Sequence, residues 1–362
     1  MIKNLFLTLL TFVVLAGCTP KTTTSNSADE PQRFRYIIAY DTSSGKELYR
    51  TKYGKSGLVG YALGIGPVYD GKLILGTADE DGKLFVSAVD IATGKELWMT
   101  EVAAEKDEIA PMSQTLFLAR RGVVGQLDPA TGQLAEKSRE LLGKPLAFAD
   151  GKVYSAIRSE ILALDTGSWE ELWSAEIAGV DGGIMTESGS LVVRNPNGCQ
   201  ALNPSGEPLW EFKTSFAPAW LAKKGSTVFL ATAEPRLFAL DSTSGEKLWE
   251  QGWKGQENYW DTLQVGEKFV FNKVGDSILA LDVSTGEEKW KVPRGMGDYT
   301  IDPTTESLYS DNGVSDEIVR YSLIDGKELS RWKVDVNVTD MLVEGDKLIL
   351  ETVDKPSEDD PG

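Results

Sequence analysis

The chain has 362 residues, 41% of them hydrophobic, a net charge of −18 and no histidine. That length supplies a sizeable core, and the negative charge opposes both non-specific nucleic-acid binding and adsorption to an anionic membrane. The missing imidazoles exclude a Ser-His-Asp triad, a Cys-His pair and any histidine metal site. Catalysis, if present, would run on carboxylates, Lys, Tyr or a borrowed cofactor.

Taken from the N-terminus, "MIKN" carries one lysine, and "LFLTLLTFVV" is an apolar run too short for a stable span. "LAGC" at Leu15–Cys18 follows, a pattern that resembles a bacterial lipobox. The resemblance implies a signal peptide over 1–17 and a diacylglyceryl group on the Cys18 thiol, with the protein lipid-anchored in the cell envelope. Residues 18–33 are then the lipidated cysteine and an expected flexible tether, rich in Thr and Ser and with no apolar face to bury. The acidic tail at 354–362 is expected to be disordered for the same reason. The other cysteine, Cys199, has no disulfide partner once Cys18 is acylated, and is expected to be a small, partly buried thiol.

Between tether and tail, one hairpin is written eight times. The turn position is Asp41, Asp90, Asp128, Asp165, Asn203, Asp241, Asp282 and, in a worn copy, Ser322, with steps of 49, 38, 37, 38, 38, 41 and 40 residues. Alternating residues before the acid suit a pleated strand. The acid caps the turn through its side-chain oxygen. A glycine such as Gly94, Gly245 or Gly286 fits a position of positive φ. Eight residues past the acid stands an aromatic ring, as Tyr49, Trp98, Trp173, Trp249 and Trp290, with Trp210 one step early. A large flat ring recurring there is what packing one unit on the next requires. Glu136 and Ser330 occupy that place in two copies, so those two junctions are expected to be weaker.

A second strand recurs between the hairpins, as "DGKLILGT", "DGKVYSAI", "GSTVFLAT" and five other copies. A short apolar piece precedes most of them, giving about four strands per period, the antiparallel blade of a propeller. The chain begins with a hairpin that lacks a strand pair and ends with a strand pair that lacks a hairpin. Joining them predicts an all-β, eight-bladed β-propeller over 34–353, a single monomeric ring closed by N- and C-terminal strands in one blade.

The recurring "ALD-x-x-TG-K-x-LW" resembles the tryptophan docking motif of the pyrroloquinoline-quinone (PQQ) propeller family, over nearly all of the chain after Cys18. The resemblance implies one of two roles. Large members are quinoprotein dehydrogenases, with PQQ and Ca²⁺ in the axial channel. Small lipidated members are non-catalytic scaffolds of the BamB type in outer-membrane β-barrel assembly. The chain lacks the length and the vicinal cysteine pair associated with the first group, so the scaffold role is the expectation. That role carries no catalytic residue, cofactor or metal. It implies a barrel-assembly component as partner and an outer-membrane location facing the periplasm. A small quinone-binding enzyme and a surface lipoprotein binding a ligand or peptide are the alternatives. Trp260-Asp261 is the nearest pair to a quinone floor and base, with inner-strand packing and a turn cap as the other reading. The loop pattern of such scaffolds, an Arg in a Leu-rich run, is poorly matched by Arg194 in "VDGGIMTESGSLVVRN".

Two further stretches invite a ligand. "TADEDGKL" packs acids into a turn, but it lacks the spaced ligands of an EF-hand Ca²⁺ loop and reads as a hairpin. Trp253, Tyr259 and Trp260, with Trp220 and Tyr299 in repeat phase, are candidates for lining one face or the channel mouth, the alternative being that they cover blade ends.

Overall fold

The computed structural model describes residues 33–56, 65–78, 83–104, 116–120, 123–140, 144–254, 263–294, 298–312 and 316–353. Cys18, Tyr259, Trp260 and Asp261 lie outside them.

Each repeat folds as an antiparallel sheet, and the sheets follow one another round a ring. Blade 1 has the strand order Asn337–Glu344, Lys347–Val353, Arg33–Asp41, Glu47–Ser56. Blades 2 and 4 to 8 each take four strands in chain order, spanning Ile65–Ala104, Lys144–Glu176, Gly182–Lys213, Pro218–Gly252, Gln264–Pro293 and Tyr299–Lys333. Blade 3 shows three, Leu116–Arg120, Val123–Leu127 and Leu134–Glu140, among the described residues. First strands of successive blades touch one another, as between blades 4 and 5, 5 and 6, 6 and 7, and 8 and 1, which makes them the inner strands. The fold is the expected eight-bladed propeller, and the first and last strands of the ring share blade 1.

The closure is a full ladder. Arg35 pairs with Val353, Ile37 with Glu351 and Asp41 with Lys347. Side chains reinforce it. Arg35 Nη1 donates to Glu351 Oε1 at 2.8 Å, and the Tyr53 hydroxyl donates to the same oxygen. Glu351 is 1% exposed, so three strands from both ends of the ring are tied by a buried, charge-assisted cluster. Burial, with the neighbouring Glu351 carboxylate, pushes the Tyr53 hydroxyl well above its ordinary range and keeps it a donor.

Cores lie between blades. Phe229, Ala239 and Trp249 of blade 6 pack on Val270 and Leu281 of blade 7; Phe271 and Ala280 of blade 7 pack on Leu308 and Tyr321 of blade 8. In blade 6 the middle two strands are the most buried, because neighbouring blades cover both their faces.

A regular irregularity marks the outer strands. Opposite Ala239 and Leu240 stand Trp249 and Lys247, so Leu248 is an extra, bulged residue. The same step skips Leu48, Leu97, Leu172, Leu209, Lys289 and Leu329. This explains why the leucines that precede docking aromatics are exposed: the bulge turns the leucine outward while the ring after it turns inward.

Candidate interaction surface

The turn acids hold their own turns. Asp41 Oδ1 accepts from the Ser43 and Ser44 amides at 3.2 and 2.8 Å, and Asp241 Oδ1 from Thr243 and Ser244 at 2.9 and 2.8 Å. Asp165 and Asp282 make the same pair of bonds, and Asp90 accepts from Thr93. Hydrogen bonds from turn side chains and amides hold all five carboxyls below the usual carboxylate range. They are ionised at neutral pH and already occupied by the turn.

The docking rings reach the next blade. The indole nitrogens of Trp98, Trp173, Trp210 and Trp249 donate to the carbonyls of Pro129, Pro204, Ser242 and Val283, each one residue past the next turn position. The Tyr49 hydroxyl does the same to Ile91 at 2.9 Å. Each ring lies on the next turn glycine. A Cβ on Gly286, at φ +72°, would sit 2.5 Å from the Trp249 ring, so both the backbone and the ring demand glycine. Gly94 and Gly245 stand likewise beneath Tyr49 and Trp210. Trp290 lies over Gly326, but its buried Nε1 has no partner among the described residues, in the copy where Ser322 replaces the acid.

Another ring stands at one of the two junctions expected to be weak. Trp332, two residues past Ser330, lies over Gly45 of blade 1 and packs against Tyr40 and Tyr309. In the turn of blade 4, Trp169 takes the glycine position itself, with φ 61° and 8% exposure, and packs on Val153 and Leu164 of the same blade. The eighth position alone misses the closing ring, which is displaced two residues along the strand.

The candidate binding aromatics part company. Tyr299 is fully buried and its hydroxyl donates to the Phe271 carbonyl at 3.0 Å, so it packs blade 7 on blade 8 and presents nothing to a ligand. Trp220 is exposed on the inner strand of blade 6. Trp253 packs on the core between blades 6 and 7 and lines a cleft of about 540 Å³. That volume falls in the range of small-ligand pockets.

The cleft's polar centre was not among the sequence candidates. Arg236 opens the third strand of blade 6, and its guanidinium lies 4.2 Å from the centre of the Phe216 ring. It pairs with Glu250, which Lys247 also reaches at 2.7 Å. Those hydrogen bonds, from Lys247 and then Arg236, hold the Glu250 carboxyl below its usual range. Phe216, Glu234, Pro235, Gly252 and Lys254 also line the cleft. The stacked guanidinium and the indole give the cleft an amphipathic lining suited to a side chain of a partner. The trace in the sequence is "EPRLF", a proline-arginine turn before a buried strand. It differs from an ordinary solvated arginine only once Phe216 is placed beside it. Arg194, by contrast, lies in a strand and donates to Asp181 at 2.7 Å.

The strands flanking the acids of "TADEDGKL", Lys72–Ala78 and Lys83–Asp90, pair as a hairpin. Among the described residues no group of three or more Cys, Asp or Glu is placed to hold a metal ion. Cys199 is fully buried, and burial pushes its thiol up to about 12, which leaves it protonated and unreactive.

A ring of tryptophan-docked blades defines the PQQ-like repeat propellers. The profile of the family described as outer membrane protein assembly factor BamB matches residues 24–118, 120–219 and 197–316, and the chain belongs to that family. The BamB of Burkholderia pseudomallei is 24% identical over 239 residues, covering 57% of this chain and 60% of that protein, so the match spans under two thirds of that relative's length. The crystal structure of BamB from Moraxella catarrhalis superposes with a TM-score of 0.60 at 16% identity, over 80% of this chain and 95% of that one. The dihydro-heme d1 dehydrogenase NirN gives 0.59 at 14% identity, over 82% and 72%. Likeness at this identity shows the fold alone, and an assembly factor and a dehydrogenase share it.

Proposed function

We propose that the chain is a non-catalytic, lipid-anchored scaffold that binds protein partners during outer-membrane protein assembly. Family membership, matched within residues 24–316, carries the reading. The turn acids, already occupied, and the inert Cys199 support it, since neither offers a group poised for reaction. In this reading acylated Cys18 holds the ring at the outer membrane, facing the periplasm. Anchoring raises its concentration beside a partner held in the same membrane, so a modest contact at the Arg236 cleft suffices. The test is a mild-detergent pull-down of the full chain from its own membranes, with Arg236→Glu alongside. Recovery of a barrel-assembly protein that the variant fails to retain supports the scaffold. Recovery of the ring alone overturns it, and titration with PQQ and Ca²⁺ then tests the enzymatic alternative.

A further inference from the structure

The seam between blades 8 and 1 departs from the repeat at one cross-strand pair. In six blades an alanine of the third strand faces the docking ring of the fourth, as Ala39 faces Tyr49 and Ala239 faces Trp249. In blade 8 the same pair is Arg320 and Ser330. A small residue and a large ring are exchanged together for a long cation and a small hydroxyl. The long side chain then crosses the seam. Arg320 Nε donates to the Ser307 hydroxyl at 2.8 Å, and that hydroxyl donates to the Thr305 carbonyl at 3.0 Å. Ser307 is fully buried, so the first bond fixes the guanidinium on its own blade. Arg320 Nη1 donates to the Thr42 carbonyl of blade 1 at 3.2 Å. Thr42 stands one residue past the turn position Asp41. The carbonyl at that place is the one a docking ring reaches at five other junctions. Trp332 fills the space over Gly45, but its buried Nε1 has no partner among the described residues. Two side chains thus divide the work of one: Trp332 fills and Arg320 bonds.

We propose that Arg320 is the latch of the ring, taking over the docking hydrogen bond at the seam where the N-terminal hairpin meets the last complete blade. The chemistry of the guanidinium suits the task. Its several N–H groups, held in a rigid fork, serve Ser307 and Thr42 at once, whereas an indole has a single N–H. A hydrogen bond from a cation is also stronger than one from a neutral donor. Thr42 is gripped from a second side, because its amide and its hydroxyl both donate to the Asp346 carbonyl, at 2.9 and 3.1 Å. Arg320 and Asp346 lie 278 and 304 positions beyond Thr42 in the chain. Both contacts therefore form only when the N-terminal hairpin is seated in blade 1. Arg320 adds what the strand ladder of that blade does not supply, a bond from blade 8 across the junction.

The test is hydrogen exchange of the full chain in mild detergent, read by mass spectrometry on peptides covering the Asp41–Gly45 and Asp241–Gly245 turns. The Gly45 and Gly245 amides donate to the Asp41 and Asp241 carbonyls and report the two turns. Arg320→Met keeps the stem and drops the donors. It should speed exchange at the Asp41–Gly45 turn about tenfold, the effect of losing one charge-assisted hydrogen bond. The Asp241–Gly245 turn, in blade 6, should keep its wild-type rate. A triple variant, Arg320→Ala with Ser330→Trp and Trp332→Phe, installs the set that blade 5 uses, Ala201, Trp210 and Phe212. It should return the Asp41–Gly45 turn to the wild-type rate. Wild-type protection in Arg320→Met overturns the proposal, because the stem alone then fills the seam. Equal acceleration of both turns also overturns it, by showing a general loss of stability in place of a released seam. A triple variant that melts cooperatively yet leaves the Asp41–Gly45 turn as fast as in Arg320→Met shows that Arg320 does not stand in for an indole, and overturns it too.

Discussion

Between blades 6 and 7, the ring eight residues past the turn acid is Trp249, lying on Gly286 and bonded to the Val283 carbonyl. Between blades 8 and 1 the turn position is Ser322, and the ring comes ten residues later, as Trp332 on Gly45. Its Nε1 is buried without a partner among the described residues. Both junctions bury an indole against a glycine turn, but only the first adds the hydrogen bond. The shared requirement is thus a filled space beside the turn, and the bond is an addition that some copies lack. Closure of the ring relies on other forces as well, namely the ladder of Arg33–Asp41 on Lys347–Val353 and the Arg35–Glu351–Tyr53 cluster.

The largest effect should come from breaking that closure. Deleting residues 35–49 removes a central strand of blade 1 and uncovers the core on both sides, so cooperative thermal unfolding should disappear. A deletion that melts at the wild-type temperature would refute the shared blade. Next come the rings. Trp249→Ala and Trp332→Ala should each cost about 3–5 kcal/mol by denaturant titration, and a Trp332→Ala cost below about 1 kcal/mol would show that the closing junction is not filled as described.

Trp169→Gly sharpens the contrast, because it restores the glycine of the other repeats and relieves a positive φ of 61°. It should nevertheless destabilise by about 2–4 kcal/mol, since the lost indole outweighs a backbone relief of about 1 kcal/mol. A neutral or stabilising result would mean that the repeat pattern, not the local packing, sets the preference.

A smaller effect follows from the turns. The carboxyls of Asp41, Asp90, Asp165, Asp241 and Asp282 titrate below their unfolded values. As pH falls the unfolded chain takes up protons first, so this stability is complete above about pH 5 and declines as pH drops through the lowered folded values. Melting temperatures measured from pH 7 to pH 3 should show that loss. Asp241→Asn should reduce the acid dependence while keeping the turn, as Asn203 does with its Oδ1 accepting from Ser205 at 2.9 Å. The smallest difference is between two conservative changes. Trp249→Phe should cost about 1 kcal/mol more than Trp290→Phe, because only Trp249 has an indole hydrogen bond to lose.

The eight hairpins and their closure into one ring were legible because the signals are local: an acid, a glycine and an aromatic at fixed spacing specify turn and docking together. The filling of the closing junction was not, because Trp332 acts from an unexpected place, and only adjacency in space reveals what it replaces. Tyr299 was in the right repeat phase for a channel-mouth residue, yet phase does not say which side of an inner strand faces a neighbour, and it is buried. The cleft depends on Phe216, just before blade 6 begins, meeting Arg236 on its third strand, a pairing that no run of consecutive residues records.

The sheet shared by the two ends also constrains how the protein is made. Ile37 pairs with Glu351, so the first hairpin to emerge during synthesis cannot enter its sheet until the last strand exists. Until Lys347–Val353 pairs with it, Arg33–Asp41 keeps one edge unpaired. Completion is therefore a single late event of high contact order, after a long interval with one sticky strand exposed. A stalled or truncated chain would carry that strand unprotected, which makes the final residues of the ring a quality check on all the others.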